Sequence, residues 1–303
     1  MSVQAPDLNL LVQRILAQQG AAIAAVADQA LECFVEPPAG SAALRDREWA
    51  DQSEHRDLVL GVFAESVGTV ALLLSAIDEH RQGIIALLDG DKKLALPAMN
   101  CVRAIHDAAL RICLLTDLGI SPQARLVRSA ADFLAKVQGG IPILQIFDGI
   151  LGDRGDLQRG KDGRDGAVEH FRSIGLEVQV NINGDAKNVR CGHAVANVNV
   201  KSTELSLKYT PRIHYAWGLN SGATHSNPWL TYGLSGPWSQ MLVSLASPLL
   251  DISDALATNL LGYVGLSAEG VHRTTHTRRL MLTDRYGRDG RPFVDHKTYR
   301  QGR

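Results

Sequence analysis

Two stretches of the chain concentrate side chains able to move protons or hold an anion. In the first, Arg103, Asp107 and Arg111 follow one another at intervals of four, with His106 on the adjoining line. On a helix this spacing puts the three charges on one face, where they form an ion-pair ladder or the wall of a polar cleft. In the second, Tyr215-Ala-Trp-Gly-Leu-Asn-Ser-Gly-Ala-Thr-His, Ser221 and His225 stand at i and i+4, so hydroxyl and imidazole share a helix face. A serine nucleophile also needs an orienting acid and an oxyanion hole, and no G-x-S-x-G elbow occurs; Gly233-Leu234-Ser235-Gly236 is one residue short. Two further patterns carry less. Gly155 to Lys161 matches G-x-x-x-x-G-K, but Asp162 stands where a hydroxyl should hold magnesium. Glu269, His272 and His276 have the i, i+3, i+7 spacing of helix-borne metal ligands, yet no second Glu-x-x-His helix exists to complete a site, so no metal and no cofactor is expected.

The elements that must position these residues are helices. Leu11, Ile15, Ile23, Val26 and Leu31 lie in an Ala- and Gln-rich helix from Leu8 to Phe34, ended by Pro37-Pro38. Leu60, Phe63, Val67, Val70, Leu74 and Ile77 alternate three and four apart, the apolar stripe of a long amphipathic helix. The Arg103 helix runs from about Lys93 to Leu118 with Gly119 as its stop, and Ser121-Pro122 opens a fourth, to about Val137, as N-cap and first helical residue. Residues 149–166 hold six glycines and eight charged residues, which predicts a mobile linker or surface loop. Val178, Val180 and Ile182 alternate with polar residues up to Asn183-Gly184, and Val189 and Cys191 resume the alternation, which predicts a β-hairpin. Helical pattern returns near Ser202, passes through Tyr215 and Trp217, and resumes from Trp238 to Val264. The chain therefore divides into an N-terminal helical part (1–140), a Gly-rich charged linker with a short helix (141–175), a hairpin (176–201), C-terminal helices (202–270) and a tail (271–303).

Composition narrows the function classes. The chain has 303 residues, 45% of them hydrophobic and 21% charged, with a net charge of −1, so it is long enough to bury a full core and is no general polyanion binder. Residues 271–303 carry nine Lys or Arg against three Asp or Glu, a charge of +6 that leaves −7 on the rest. This tail is expected to be disordered or draped over the acidic body. No uninterrupted run approaches the roughly 20 apolar residues of a spanning helix, and residues 1–7 lack the pattern of a secretory signal, so a cytoplasmic protein without membrane contact is expected. Cys33, Cys101, Cys113 and Cys191 are scattered without a C-x-x-C pair, which indicates neither a disulfide framework nor a zinc ribbon.

Leu96-Pro97-Ala98 through Arg103 to Leu114-Leu115-Thr116-Asp117, followed later by Tyr215-x-x-x-Leu219-x-Ser221-Gly222-x-x-His225, resembles uncharacterised, largely actinobacterial helical proteins similar to the HEPN superfamily. The resemblance spans about residues 55–265. It implies a mainly α, multi-helix, HEPN-like bundle that dimerises, and in active members a metal-independent RNA cleavage by an arginine and a histidine four to six residues apart. Gly218, Leu219 and Asn220 occupy those places before His225, so the arginine must come from another helix, as Arg103 would. The expectation is a polar cleft of Arg103, His106, Tyr215, Ser221 and His225 in an RNA-directed or defence-related protein, partnered by a second copy and by RNA or by an antitoxin or regulatory protein. If it cleaves, His225 acts as general acid or base and Arg103 stabilises the developing phosphate charge. Two rivals are a non-catalytic dimeric scaffold and a small-molecule enzyme using a bundle cavity near Trp217, Trp229 and Trp238.

Overall fold

A computed structural model describes residues 8–89, 94–152, 155–225 and 238–283. Its helices, in chain order, are α1 (Leu8–Val35), α2 (Ala42–Asp51), α3 (Arg56–Asp89), α4 (Ala95–Leu115), α5 (Pro122–Leu151), α6 (Asp156–Ser173), α7 (Ser202–Tyr209), α8 (His214–Thr224), α9 (Trp238–Tyr263) and α10 (Glu269–Thr283). Between α6 and α7 lies an antiparallel sheet of β1 (Glu177–Val180), β2 (Ala186–Cys191) and β3 (Ala194–Asn197) in the order β1-β2-β3. The protein is thus mainly helical with one small sheet.

Local chemistry explains the boundaries. Ser41 and Ser121 cap α2 and α5 by accepting the backbone N–H groups of Leu44 and Ala124, at 3.0 and 3.2 Å, and Pro122 costs α5 nothing because its missing N–H is one the first turn cannot use. Helix α4 ends at Leu115, before the expected Gly119 stop, because the Asp117 side chain accepts the Gly119 N–H at 2.9 Å and turns the chain toward α5.

The hairpin is a three-stranded meander: Cys191 pairs with Ala194 across Gly192-His193, and Gly192 takes a positive φ of 55°. More of the chain is helical than its composition suggests. Helix α5 runs through Pro142 to Leu151, and the stretch expected to be a linker is mostly α6. Glycine there does not defeat the helix, because Arg159 pairs with Asp156, Gln158 bonds Asp162, and Arg164, Val168 and Phe171 turn one face inward. Gly160 lets the two helices touch, since a Cβ at this position would lie 2.6 Å from Leu144 Cδ1. The start of the basic tail is likewise ordered, as α10 packed on α9; residues 284–303 lie outside the described residues.

Two hydrophobic cores result. The larger gathers α1, the C-terminal two-thirds of α3, α4, α8, α9 and α10 around Ile77, Ile105, Ile112 and Leu250. The smaller lies between α5, α6, the sheet and the first turns of α3, around Val59, Leu126, Phe171 and Val189. Helices α1 and α3 are also long and apolar enough, at mean hydropathies of 1.3 and 2.0, to cross a bilayer by length and composition, although charged residues interrupt the apolar run in both.

Candidate functional site

Helix α4 is the spine on which both candidate regions are built. On one side it meets α8, which runs antiparallel to it: Trp217 reaches Arg103 and Asp107, and further along α8 Thr224 donates to Asn100 Oδ1 at 3.2 Å. The Arg103 guanidinium donates from Nε to Asp107 Oδ2 at 2.6 Å and from Nη1 to the Trp217 carbonyl at 3.3 Å, and stacks 3.6 Å from the indole centroid. Trp217 Nε1 returns a bond to Asp107 Oδ1 at 3.1 Å. Arginine, aspartate and tryptophan therefore form a closed clip between two helices, using the flat guanidinium for both charge and stacking.

The other residues expected in this cleft are spread around it. His106 is fully buried, and its Nε2 lies 2.8 Å from Thr210 Oγ1. The Thr210 hydroxyl in turn lies 3.2 Å from both the Ser206 carbonyl and the Ser206 hydroxyl, which ties the imidazole to α7. Nδ1 stays without a hydrogen bond among the described residues. Burial lowers the His106 pKa to about 4, helped by the charges of Arg103 and His214 and opposed by that of Asp107, so the ring is neutral and structural. Tyr215 is 68% exposed. Ser221 is half-buried, and His225 caps the C-terminus of α8, exposed, with its backbone N–H on Ser221 O at 3.1 Å. Arg103 and His106 thus serve helix packing, while Tyr215 and His225 face solvent. Trp229 lies outside the described residues.

The other side of α4 holds a groove of about 860 Å³ that the sequence did not announce. Helix α3 contributes Leu73, Ala76 and His80; α4 contributes Ala104, Asp107, Ala108 and Arg111; α5 contributes Arg128, Ala131, Asp132, Ala135 and Lys136; the connection from β3 to α7 closes it with residues 195–202. Its floor is made of small side chains and its walls carry charge. Arg111, expected to extend the ladder on Asp107, instead crosses to α5, where its Nε bonds the buried Asp132 carboxylate. Arg128 Nη1 is held by Asp117 Oδ2 at 2.8 Å and by the Leu114 carbonyl at 3.1 Å. Lys136 Nζ bonds Thr69 Oγ1 at 2.7 Å and Glu65 Oε1 at 2.8 Å.

Asp117 anchors this wall. Burial works against its ionisation, but bonds from Lys208 at 2.5 Å, Arg128, the Gly119 N–H and Tyr209 at 2.8 Å outweigh burial and hold its carboxyl well below the ordinary carboxylate range. Two guanidiniums are therefore fixed by buried carboxylates on a concave, part-apolar surface. Arg111 Nη1 and Arg128 Nη2 have no hydrogen-bond partner within the groove among the described residues. The signal in the sequence was the Arg128, Asp132, Lys136 spacing of four, which is legible only once α5 is known to face α4.

Among the described residues no group of three His, Cys, Asp or Glu side chains is placed to hold a metal. Glu269, His272 and His276 do lie on one helix, but His272 Nε2 bonds Thr258 Oγ1 at 3.0 Å and Glu269 pairs with Arg273 at 3.6 Å. Compared with known families, curated proteins and solved structures, the chain matches none.

Proposed function

We propose that the protein binds a small organic anion with an apolar body in the groove between α3, α4 and α5. The observation that carries this reading is the combination of an 860 Å³ concavity, an alanine floor and guanidiniums pre-oriented by Asp132 and Asp117. A volume of this size suits a ligand of drug-like dimensions, and planar forks fixed in advance favour a carboxylate, sulfonate or phosphate. Asp107 lines the groove while also closing the Arg103–Trp217 clip, so occupancy would be felt at α8. Such a protein acts as a sensor or carrier without needing catalytic groups. The test uses anilinonaphthalene sulfonate, an aromatic body with one anionic group. It should bind in a one-to-one ratio, and Ala104→Trp, which fills the groove, should weaken it at least about tenfold without lowering the melting temperature. Wild-type protein that fails to bind the dye, or a plugged variant that binds it equally, removes the reading.

A second reading, an RNA-directed HEPN-like bundle, is favoured by one feature: His225 is exposed at the end of the helix that packs on Arg103. There His225 would exchange the proton of a ribose hydroxyl and Arg103 would face the phosphate. Cleavage of single-stranded RNA without divalent ions, reduced about 10² to 10⁴-fold in His225→Ala, supports it; wild-type protein that cuts nothing ends it.

A further inference from the structure

The second half of α5 leaves a long apolar stripe uncovered. Ile143, Ile146, Phe147, Ile150 and Leu151 are between 51% and 73% exposed, and their positions i, i+3, i+4, i+7 and i+8 fall on one face. The flank beside it is occupied, since Leu144 packs over Gly160 of α6 and Asp148 Oδ2 accepts the Leu157 N–H at 3.1 Å. Helix α5 is thus sealed on α6 and open along the stripe. Together the five side chains present about 600 Å² of apolar surface, at the top of what a monomer ordinarily leaves in contact with water.

We infer that this stripe pairs with the same stripe of a second copy of the chain, the two α5 helices packing across a two-fold axis. Area is the first argument: two such faces expose about 1,200 Å² between them, which full burial brings to the lower bound of a specific protein interface. Charge is the second. From Val137 to Gly152 there is no Lys or Arg, and the one acid, Asp148, is turned to α6, so the face neither repels a copy of itself nor gains anything from an anionic bilayer. Spacing is the third, because the i, i+3, i+4, i+7 pattern is what an antiparallel helix partner interleaves with. Gly139 and Gly140 extend the helix N-terminally with open space at their missing Cβ atoms, so two backbones can approach there.

Sedimentation equilibrium of the full chain tests this. The protein should be a dimer at about 10 µM, and Ile146→Asp and Ile150→Asp should each weaken association at least about 100-fold while keeping the helical circular dichroism and the melting curve of a folded protein. Leu72→Asp, at a 74%-exposed position on α3 and outside the stripe's own helix, should leave the dimer intact. If both aspartate variants misfold, hydrogen exchange of residues 143–151 in the wild type replaces them, with protection that rises with protein concentration. A wild-type chain that stays monomeric at about 100 µM overturns the inference. So does a dimer indifferent to both substitutions, or a monomer that sediments with phosphatidylcholine vesicles through this stripe.

Discussion

His106 shows how a residue chosen for its chemistry serves packing instead. Its ring sits without solvent access beside Thr210 and Ser206, and its pKa is lowered to about 4 by burial, against 6.5 for a free imidazole. The unfolded chain therefore takes up a proton near pH 6.5 that the folded protein refuses until about pH 4, and stability falls as the pH drops through that window. The loss attributable to this residue approaches about 3 kcal/mol at the acid end, since each tenfold change in proton affinity is worth about 1.4 kcal/mol. His106→Gln can keep a donor to Thr210 but has no proton to refuse. Urea unfolding between pH 7 and 4 should show a shallower fall for the glutamine variant; parallel profiles would contradict the assignment. Whether His225 or Arg103 does chemistry is a separate matter, because at the residue level one is exposed and the other is spent on Asp107 and Trp217.

At the scale of elements, what could be read from the sequence depended on how far each signal was local. The α1, α3 and α4 stripes and the Ser121-Pro122 start of α5 are periodic or capping signals within a few residues, and they place those helices closely. Helix α6 escaped because its composition is that of a loop, while its stability comes from ion pairs within it and from α5 beneath it. The groove escaped for a related reason: Ala104, Ala108, Ala131 and Ala135 look like ordinary helix formers until four separate elements surround them. Two glycines of α6 are costly to the helix. Gly163 and Gly166 are helical, with open space where a Cβ would go. Gly163→Ala and Gly166→Ala should each raise the stability by about 0.5–1 kcal/mol, through helix propensity and a less flexible unfolded chain. Gly175→Ala should lower it, since φ there is +84°. Alanines that change nothing at 163 and 166 would return this stretch to a loop.

Across the whole molecule, the two hydrophobic cores are joined by α2 and α3, which each contribute side chains to both, and by a buried ionic group. Arg125 of α5 donates to Asp46 Oδ2 of α2 at 2.6 Å, Tyr263 of α9 donates to the same oxygen at 2.7 Å, and both charged side chains are only 2% exposed. Arg125 also bonds the carbonyls of Asp117 and Ile120, so it ties the α4–α5 turn to α2 and α9. Burial raises the Asp46 pKa more than Arg125 and Tyr263 lower it, which means the carboxylate depends on its arginine to remain charged. Arg125→Ala should therefore cost about 3–5 kcal/mol, because an uncompensated charge is left inside. The penalty should grow as pH rises above the ordinary aspartate value of 3.8, where the unfolded chain ionises and the folded one resists. A double variant, Arg125→Met with Asp46→Leu, removes both charges and should recover most of that loss, since apolar groups of similar volume replace buried ion pairs at little cost. The two should differ in cooperativity as well as in stability: with Arg125→Ala, hydrogen exchange in α6 and the sheet should accelerate ahead of exchange in α4 and α9. Equal destabilisation by the single and double substitutions, with both cores exchanging together, would show that the apolar packing of α2 and α3 couples them without the ion pair.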